Sequence, residues 1–165
     1  MHVGRYIVEL QGGNIDAKFP HDGGTRIVVD LPLGGEEGHG VMRRRVLIVD
    51  NEATIREMLK IILDTEGYIV DQAADGGEAL TAIRKAQPDV ILLDIKMPGI
   101  DGYEFVSLYK ETTGKKAPIV VITAAQSAEK AAADLDACAF LGKPFGVAQL
   151  LATVNECISR GDAAA

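Results

Sequence analysis

Val90-Ile91-Leu92-Leu93 is apolar at every position and ends in an acid, Asp94, before Ile95-Lys96-Met97-Pro98-Gly99 turns the chain. A strand with no polar face is covered on both sides, as in a parallel sheet between two layers of helices. An acid closing such a strand leaves the core at the carboxyl edge of the sheet, where open α/β sheets bind ligands. The run Val46-Leu47-Ile48-Val49 repeats the design and ends in Asp50-Asn51-Glu52. Two buried strands that release acid at the same end point to a metal-assisted phosphate site.

The rest of the pattern supports that frame. Residues 34–42 read Gly-Gly-Glu-Glu-Gly-His-Gly-Val-Met, with four glycines in nine positions, and mark a linker over residues 34–43. Beyond it, strands are expected at Val46 to Asp50, Tyr68 to Ala73, Val90 to Asp94, Ile119 to Thr123 and Ala139 to Leu141. Helices are expected at Thr54 to Glu66, Gly77 to Ala86, Tyr103 to Lys110, Ser127 to Leu135 and Val147 to Ser159. In the first helix Ile55, Met58, Leu59 and Ile62 are expected to face inward. Five βα units in about 115 residues have the size of the flavodoxin-like doubly wound α/β fold, a five-stranded parallel sheet of order 2-1-3-4-5 with helices on both faces. That order sets Asp50 and Asp94 on neighbouring strands. It brings Thr123, at the end of the fourth strand, and Lys143, after the fifth, to the same edge.

Composition removes other classes. Of the 165 residues, 47% are apolar, enough for a core, and a net charge of -7 argues against nucleic acid as a partner. Arg43-Arg44-Arg45 reads as a solvated lead-in to a strand. Cys138 and Cys157 are too few for a disulfide framework and lack metal-ligand spacing, so free thiols in a reducing cytosol are expected. No apolar run reaches the ~18 residues of a membrane span, and the start lacks a signal-peptide pattern. A cytoplasmic location is expected.

The residue types suit phosphoryl transfer. Asp94 can serve as a nucleophile and carry an aspartyl phosphate. Its neighbouring acids repel an incoming phosphoryl group unless a hard cation intervenes. Mg2+ favours carboxylate, carbonyl and water oxygens, which Asp50, Asn51, Glu52, Asp94 and the backbone carbonyl of Lys96 can supply. The Lys143 ammonium and Thr123 hydroxyl can take the remaining phosphoryl oxygens. A cis Lys143-Pro144 bond is one way to aim the lysine inward. Asp50 also has the residue type and position of a helix cap, and Asp101-Gly102 reads as turn chemistry.

Val-Asp-Asn-Glu at 49–52, Leu-Leu-Asp-Ile-Lys-Met-Pro-Gly at 92–99, Asp-Gly at 101–102, Ile-Thr-Ala at 122–124 and Gly-Lys-Pro-Phe at 142–145 occur in one order. Together they resemble the receiver domain of bacterial two-component response regulators over residues 44–160, with 161–165 as a tail. The resemblance implies that Asp94 is the phosphoacceptor and that the domain catalyses its own phosphorylation. It implies a histidine kinase or a histidine phosphotransfer protein as donor and a downstream protein as target. It makes Thr123 the switch hydroxyl, Phe140 the switch aromatic and Mg2+ the cofactor. The family usually carries a second acid where this chain has Asn51.

A receiver-like binding module that works without phosphorylation has only Asn51 in its favour. A haloacid-dehalogenase-like phosphatase needs an Asp two residues after its nucleophile, where Lys96 stands. A flavin site lacks a phosphate-cradling loop after the first strand.

Residues 1–33 carry a second, shorter resemblance. Ile-Val-Glu-Leu-Gln-Gly-Gly-Asn-Ile and Gly-Gly-Thr-Arg-Ile-Val-Val-Asp-Leu-Pro-Leu are similar to the carboxyl end of the histidine-kinase ATPase domain. A helix end at Tyr6 to Leu10 and strands at Asn14 to Lys18 and Arg26 to Leu31 are expected. About thirty residues cannot bury a core alone. The segment is therefore expected to be a remnant, as from a hybrid histidine kinase or a truncated gene.

Overall fold

The apolar strands line up side by side, as their lack of a polar face demands. The computed structural model describes residues 14–18, 26–30 and 43–164. Two strands, β1 (Asn14–Lys18) and β2 (Arg26–Asp30), pair antiparallel as a separate unit, with Asn14 opposite Asp30. The expected helix end at Tyr6 to Leu10 lies outside the described residues.

In the larger unit, β3 (Arg45–Val49), β4 (Ile69–Ala73), β5 (Val90–Asp94), β6 (Ile119–Ala124) and β7 (Ala139–Lys143) form a parallel sheet of order β4-β3-β5-β6-β7. Counted within this unit, that is the expected 2-1-3-4-5. The connecting helices are α1 (Ala53–Thr65), α2 (Gly76–Lys85), α3 (Gly102–Glu111), α4 (Ala125–Leu135) and α5 (Val147–Ala163).

Alternation along each strand sorts the core into two layers. Leu47, Val49, Ile91, Leu93 and Val121 point to the face covered by α2, α3 and α4, where Ile83, Phe105, Tyr109 and Leu135 are buried. Val46, Ile48, Leu92, Val120 and Ile122 point to the opposite face, under Leu59 and Leu63 of α1 and Leu150 and Val154 of α5. A Leu or Ile buried to this degree contributes roughly 1.5–3 kcal/mol.

Helix starts and stops follow local chemistry. Asp75 caps α2 and Asp101 caps α3, each side chain accepting the amide N–H three residues on at 2.9 Å. Asp101-Gly102 is therefore a helix start rather than a turn alone. Gly67 (φ 88°) closes the α1 end and Gly99 (φ 77°) turns the chain after β5, both in the left-handed region that favours glycine.

Four expectations are corrected. Met58 is 48% exposed, and α1 buries Leu59 and Leu63 instead. Packing selected the Leu59–Leu63 spacing of four over the three-residue step from Ile55 to Met58. The last helix runs to Ala163 through the expected tail, with Arg44 forked onto Asp162 at 3.2 and 2.6 Å. The α1 cap position is held by Glu52, not Asp50, whose side chain instead accepts the Glu52 amide N–H at 2.8 Å. Cys138 and Cys157 are not free: they form a disulfide with Cα atoms 5.9 Å apart. Cys138 precedes β7 and Cys157 lies on the buried face of α5, so the topology joins residues that spacing alone kept apart.

Candidate functional site

The β3–β5 register pairs Val49 with Leu93. One step further, Asp50 and Asp94 leave the sheet side by side. The β5–β6 register sets Asp94 beside Ile122, and Thr123 of β6 stands opposite Gly142 of β7. The next residue, Lys143, ends β7, and its peptide bond to Pro144 is cis, as the sequence suggested.

Among the described residues, Asp50, Asp94 and Thr123 are the buried polar side chains, at 2%, 5% and 3% exposure. All three sit at this one edge. Carboxylate oxygens of Asp50, Glu52 and Asp94 lie within 4.8 Å of one another. The Lys143 ammonium donates to Asp50 Oδ2 at 3.0 Å and stands 3.6 Å from Asp94 Oδ2 and 3.7 Å from Glu52 Oε1. A single cation thus faces three acids. Asp94 Oδ1 accepts the Lys96 amide N–H at 3.2 Å, which turns the loop after β5 back over the pocket.

Burial lifts the Asp94 carboxyl above the usual carboxylate range; the Lys143 charge opposes this and the Asp50 charge adds to it. Burial works against the Lys143 charge, yet its hydrogen bond to Asp50 and the charges of Asp50, Asp94 and Glu52 hold the ammonium above its ordinary value. The pocket therefore keeps its lysine charged and leaves its acids short of positive charge.

A stability effect follows from the raised carboxyl. An Asp whose folded pKa exceeds its unfolded value of about 3.9 favours folding while protonated. That contribution is lost as pH rises through the folded value. In metal-free buffer at neutral pH, Asp94→Asn is expected to exceed the parent chain in stability, read as a higher denaturant midpoint. The gap should close on acidification; equal denaturant midpoints at neutral pH would contradict it.

The sequence-predicted residues divide as follows. Asp50, Glu52, Asp94, Thr123 and Lys143 meet at the edge. Asn51 is exposed on the bend between β3 and α1, and Lys96 is exposed after β5. Phe140 lies on β7 at 45% exposure. Arg56 was missed: its guanidinium donates to the Asp50 carbonyl at 2.6 Å from the first turn of α1. A basic residue one turn into the helix after an acid-ended strand is the signal that would have found it.

Three hard oxygen groups this close, on a sheet edge with a buried floor, fit a hard divalent cation better than a soft one. The same edge offers a nucleophilic carboxylate, an ammonium and a hydroxyl, which are the parts for phosphoryl capture.

Comparison with known proteins gives one consistent relationship. The profile of the response regulator receiver domain matches residues 46–155. The chain is 42% identical over 118 residues to the response regulator MprA of Mycolicibacterium vanbaalenii, covering 70% of this chain and 51% of that protein. It is 37% identical over 123 residues to the DNA-binding response regulator MtrA of Mycolicibacterium paratuberculosis, covering 73% and 54%. The chain spans about half the length of these curated relatives. Among solved structures, the chemotaxis response regulator CheY4 of Vibrio cholerae superposes with a TM-score of 0.65 at 38% identity, over 70% of this chain and 99% of that one. The receiver domain of NtrX from Brucella abortus gives a TM-score of 0.64 at 30% identity, over 69% and 98%.

Proposed function

Since this chain belongs to the response regulator receiver domain family, we propose that residues 44–160 accept a phosphoryl group on Asp94 from the phosphohistidine of a histidine kinase or a histidine phosphotransfer protein. The observation that carries this reading is the gathering of Asp50 and Asp94, buried carboxylates, around the Lys143 ammonium, at the sheet edge where Thr123, the other buried polar side chain among the described residues, also ends its strand.

An Asp94 carboxylate oxygen attacks phosphorus, the nitrogen–phosphorus bond of the donor breaks, and the histidine leaves. Asp50, Asn51, Glu52, Asp94 and the Lys96 carbonyl are the oxygens that would hold Mg2+, whose charge, when bound, offsets carboxylate repulsion at the incoming phosphoryl group. Lys143 pairs with one phosphoryl oxygen and the Thr123 hydroxyl donates to another. Arg56 holds the Asp50 carbonyl and so the loop that presents the acids.

Phosphorylation then shifts an existing equilibrium. Thr123 moves toward the phosphoryl group and Phe140, half exposed on β7, turns inward. The surface made by α4, β7 and α5 repacks for a downstream protein. The acidic balance of the chain supports a protein rather than nucleic acid as the target. The cytoplasmic location is proposed from the family membership. Among the described residues, no helix is long and apolar enough to cross a membrane.

For residues 1–33 we propose a segment similar to the carboxyl end of the histidine-kinase ATPase domain, with residues 34–43 as the linker. The motif string and the antiparallel β1–β2 pair support it; the family match does not extend to this segment.

The test is incubation of the full chain with a small acyl phosphate, in Mg2+ and in excess chelator. Intact mass should rise by one phosphoryl group, about 80 Da, in Mg2+ only. An unchanged mass in both, or equal gains in both, would defeat the reading.

A further inference from the structure

We infer that the Cys138–Cys157 disulfide is a reversible redox-modification site that controls the freedom of the segment carrying Lys143. The two cysteines differ in burial. Cys157 is fully buried among Leu150, Val154 and Ile158 on the inner face of α5. Cys138 is partly exposed and lines two surface clefts, of about 550 and 480 Å³. An attacking thiolate therefore reaches Cys138 Sγ and leaves Cys157 as the departing sulfur.

Charge favours that attack. The larger cleft is lined by Lys110, Lys115, Lys116 and Arg160 against one acid, Asp136, whereas the smaller carries Glu129, Asp136 and Glu156 against Arg160, so the larger cleft is the approach that charge favours. A local positive field on an acidic protein concentrates anionic thiols and stabilises the thiolate form of a sulfur beside it. The reductant class is accordingly a dithiol, or an anionic small thiol acting twice. Its thiolate attacks Cys138 Sγ, the bond between the two protein sulfurs breaks, and Cys157 leaves and takes up a proton. The reductant's second thiolate then attacks the mixed disulfide and releases the Cys138 thiol. The protein gains two electrons and two protons, and the reductant becomes a disulfide; a disulfide oxidant runs the sequence backwards.

The consequence lies inside the closed loop. The cysteines are 19 positions apart, and the chain between them holds Phe140, Gly142, Lys143 and the first turns of α5. In the oxidised state the start of β7 is tied to the buried face of α5. In the reduced state that tie is gone, and this end is held by the Cys138 amide bond to the Ile119 carbonyl at 2.8 Å, the β6–β7 ladder and the apolar packing of Ala139 and Leu141. Loss of a bond closing a loop of this length is expected to lower the melting temperature by about 10 °C.

The full chain, purified without reductant, should resist alkylation under denaturing conditions. After native treatment with a dithiol at neutral pH, both cysteines should alkylate, and a disulfide oxidant should restore protection. Amide exchange across Ala139–Lys143 and early α5 should rise at least about tenfold on reduction. Cys138→Ser, which leaves Cys157 in its apolar seat, should reproduce the reduced exchange pattern and ignore both reagents. Full alkylation of the air-oxidised chain, a bond that opens only on denaturation, or identical exchange in both states would each overturn the inference.

Discussion

Asp94→Asn is expected to take up no phosphoryl group under conditions in which the parent chain is fully modified, with no gain in intact mass over hours. The amide fills the same volume at the end of β5, so folding is kept and even favoured at neutral pH. What disappears is the anionic oxygen that attacks phosphorus. Asp50 remains, but its Oδ1 accepts the Glu52 amide and its Oδ2 accepts from Lys143, so both oxygens are engaged. Glu52 remains too, at 59% side-chain exposure on the rim, where no buried floor orients it. The two readouts oppose each other: stability up, modification gone. A merely structural Asp94 would move them together, and a variant that still gains phosphate would relocate the acceptor.

The second large effect comes from a residue without a side chain. A Cβ built on Gly142 would lie 2.7 Å from Ala125 Cα and 2.8 Å from its Cβ. Those atoms belong to the start of α4 and cannot rotate away. Gly142→Val is therefore expected to push β7 off β6 and to cost about 3 kcal/mol. Because Gly142 stands opposite Thr123 and precedes Lys143, phosphoryl uptake should fall with stability. Gly146→Ala, with nothing within 4 Å of the added atom, is the control and should stay within about 0.5 kcal/mol of the parent. Denaturant midpoints of both variants decide the matter; a Gly142→Val chain as stable as the control would contradict the packing described.

The contrast between these two residues marks what could be read in advance. Asp94 was legible because an acid closing a fully apolar strand has few places to go. Asp50, Thr123 and Lys143 followed once the strand order was in hand, since each ends or follows a strand of the same parallel sheet. Gly142 looked like part of a motif, and its closeness to Ala125 depends on the α4–β7 distance, which no local pattern encodes. The same holds for Cys138 and Cys157. Their separation resembled that of unrelated thiols until β7 and α5 were seen to lie against each other. In α1, Met58 fits a 3.6-residue period through Ile55 and Ile62 as well as Leu63 fits one through Leu59. Only the packing of that helix on the sheet chose Leu63. Asn51 and Glu52 were equally plausible oxygen donors by position; the carboxylate cluster gathers Glu52 with Asp50 and Asp94.

The most direct measurement is residue-level mapping of the phosphoryl group on the wild-type full chain after exposure to Mg2+ and a small acyl phosphate. One base- and hydroxylamine-labile modification is expected, on Asp94, and it should be absent when a chelator replaces the metal. A phosphoryl group found on Asp50, on Glu52 or on a hydroxyl side chain, or one formed equally well without a divalent ion, would contradict it.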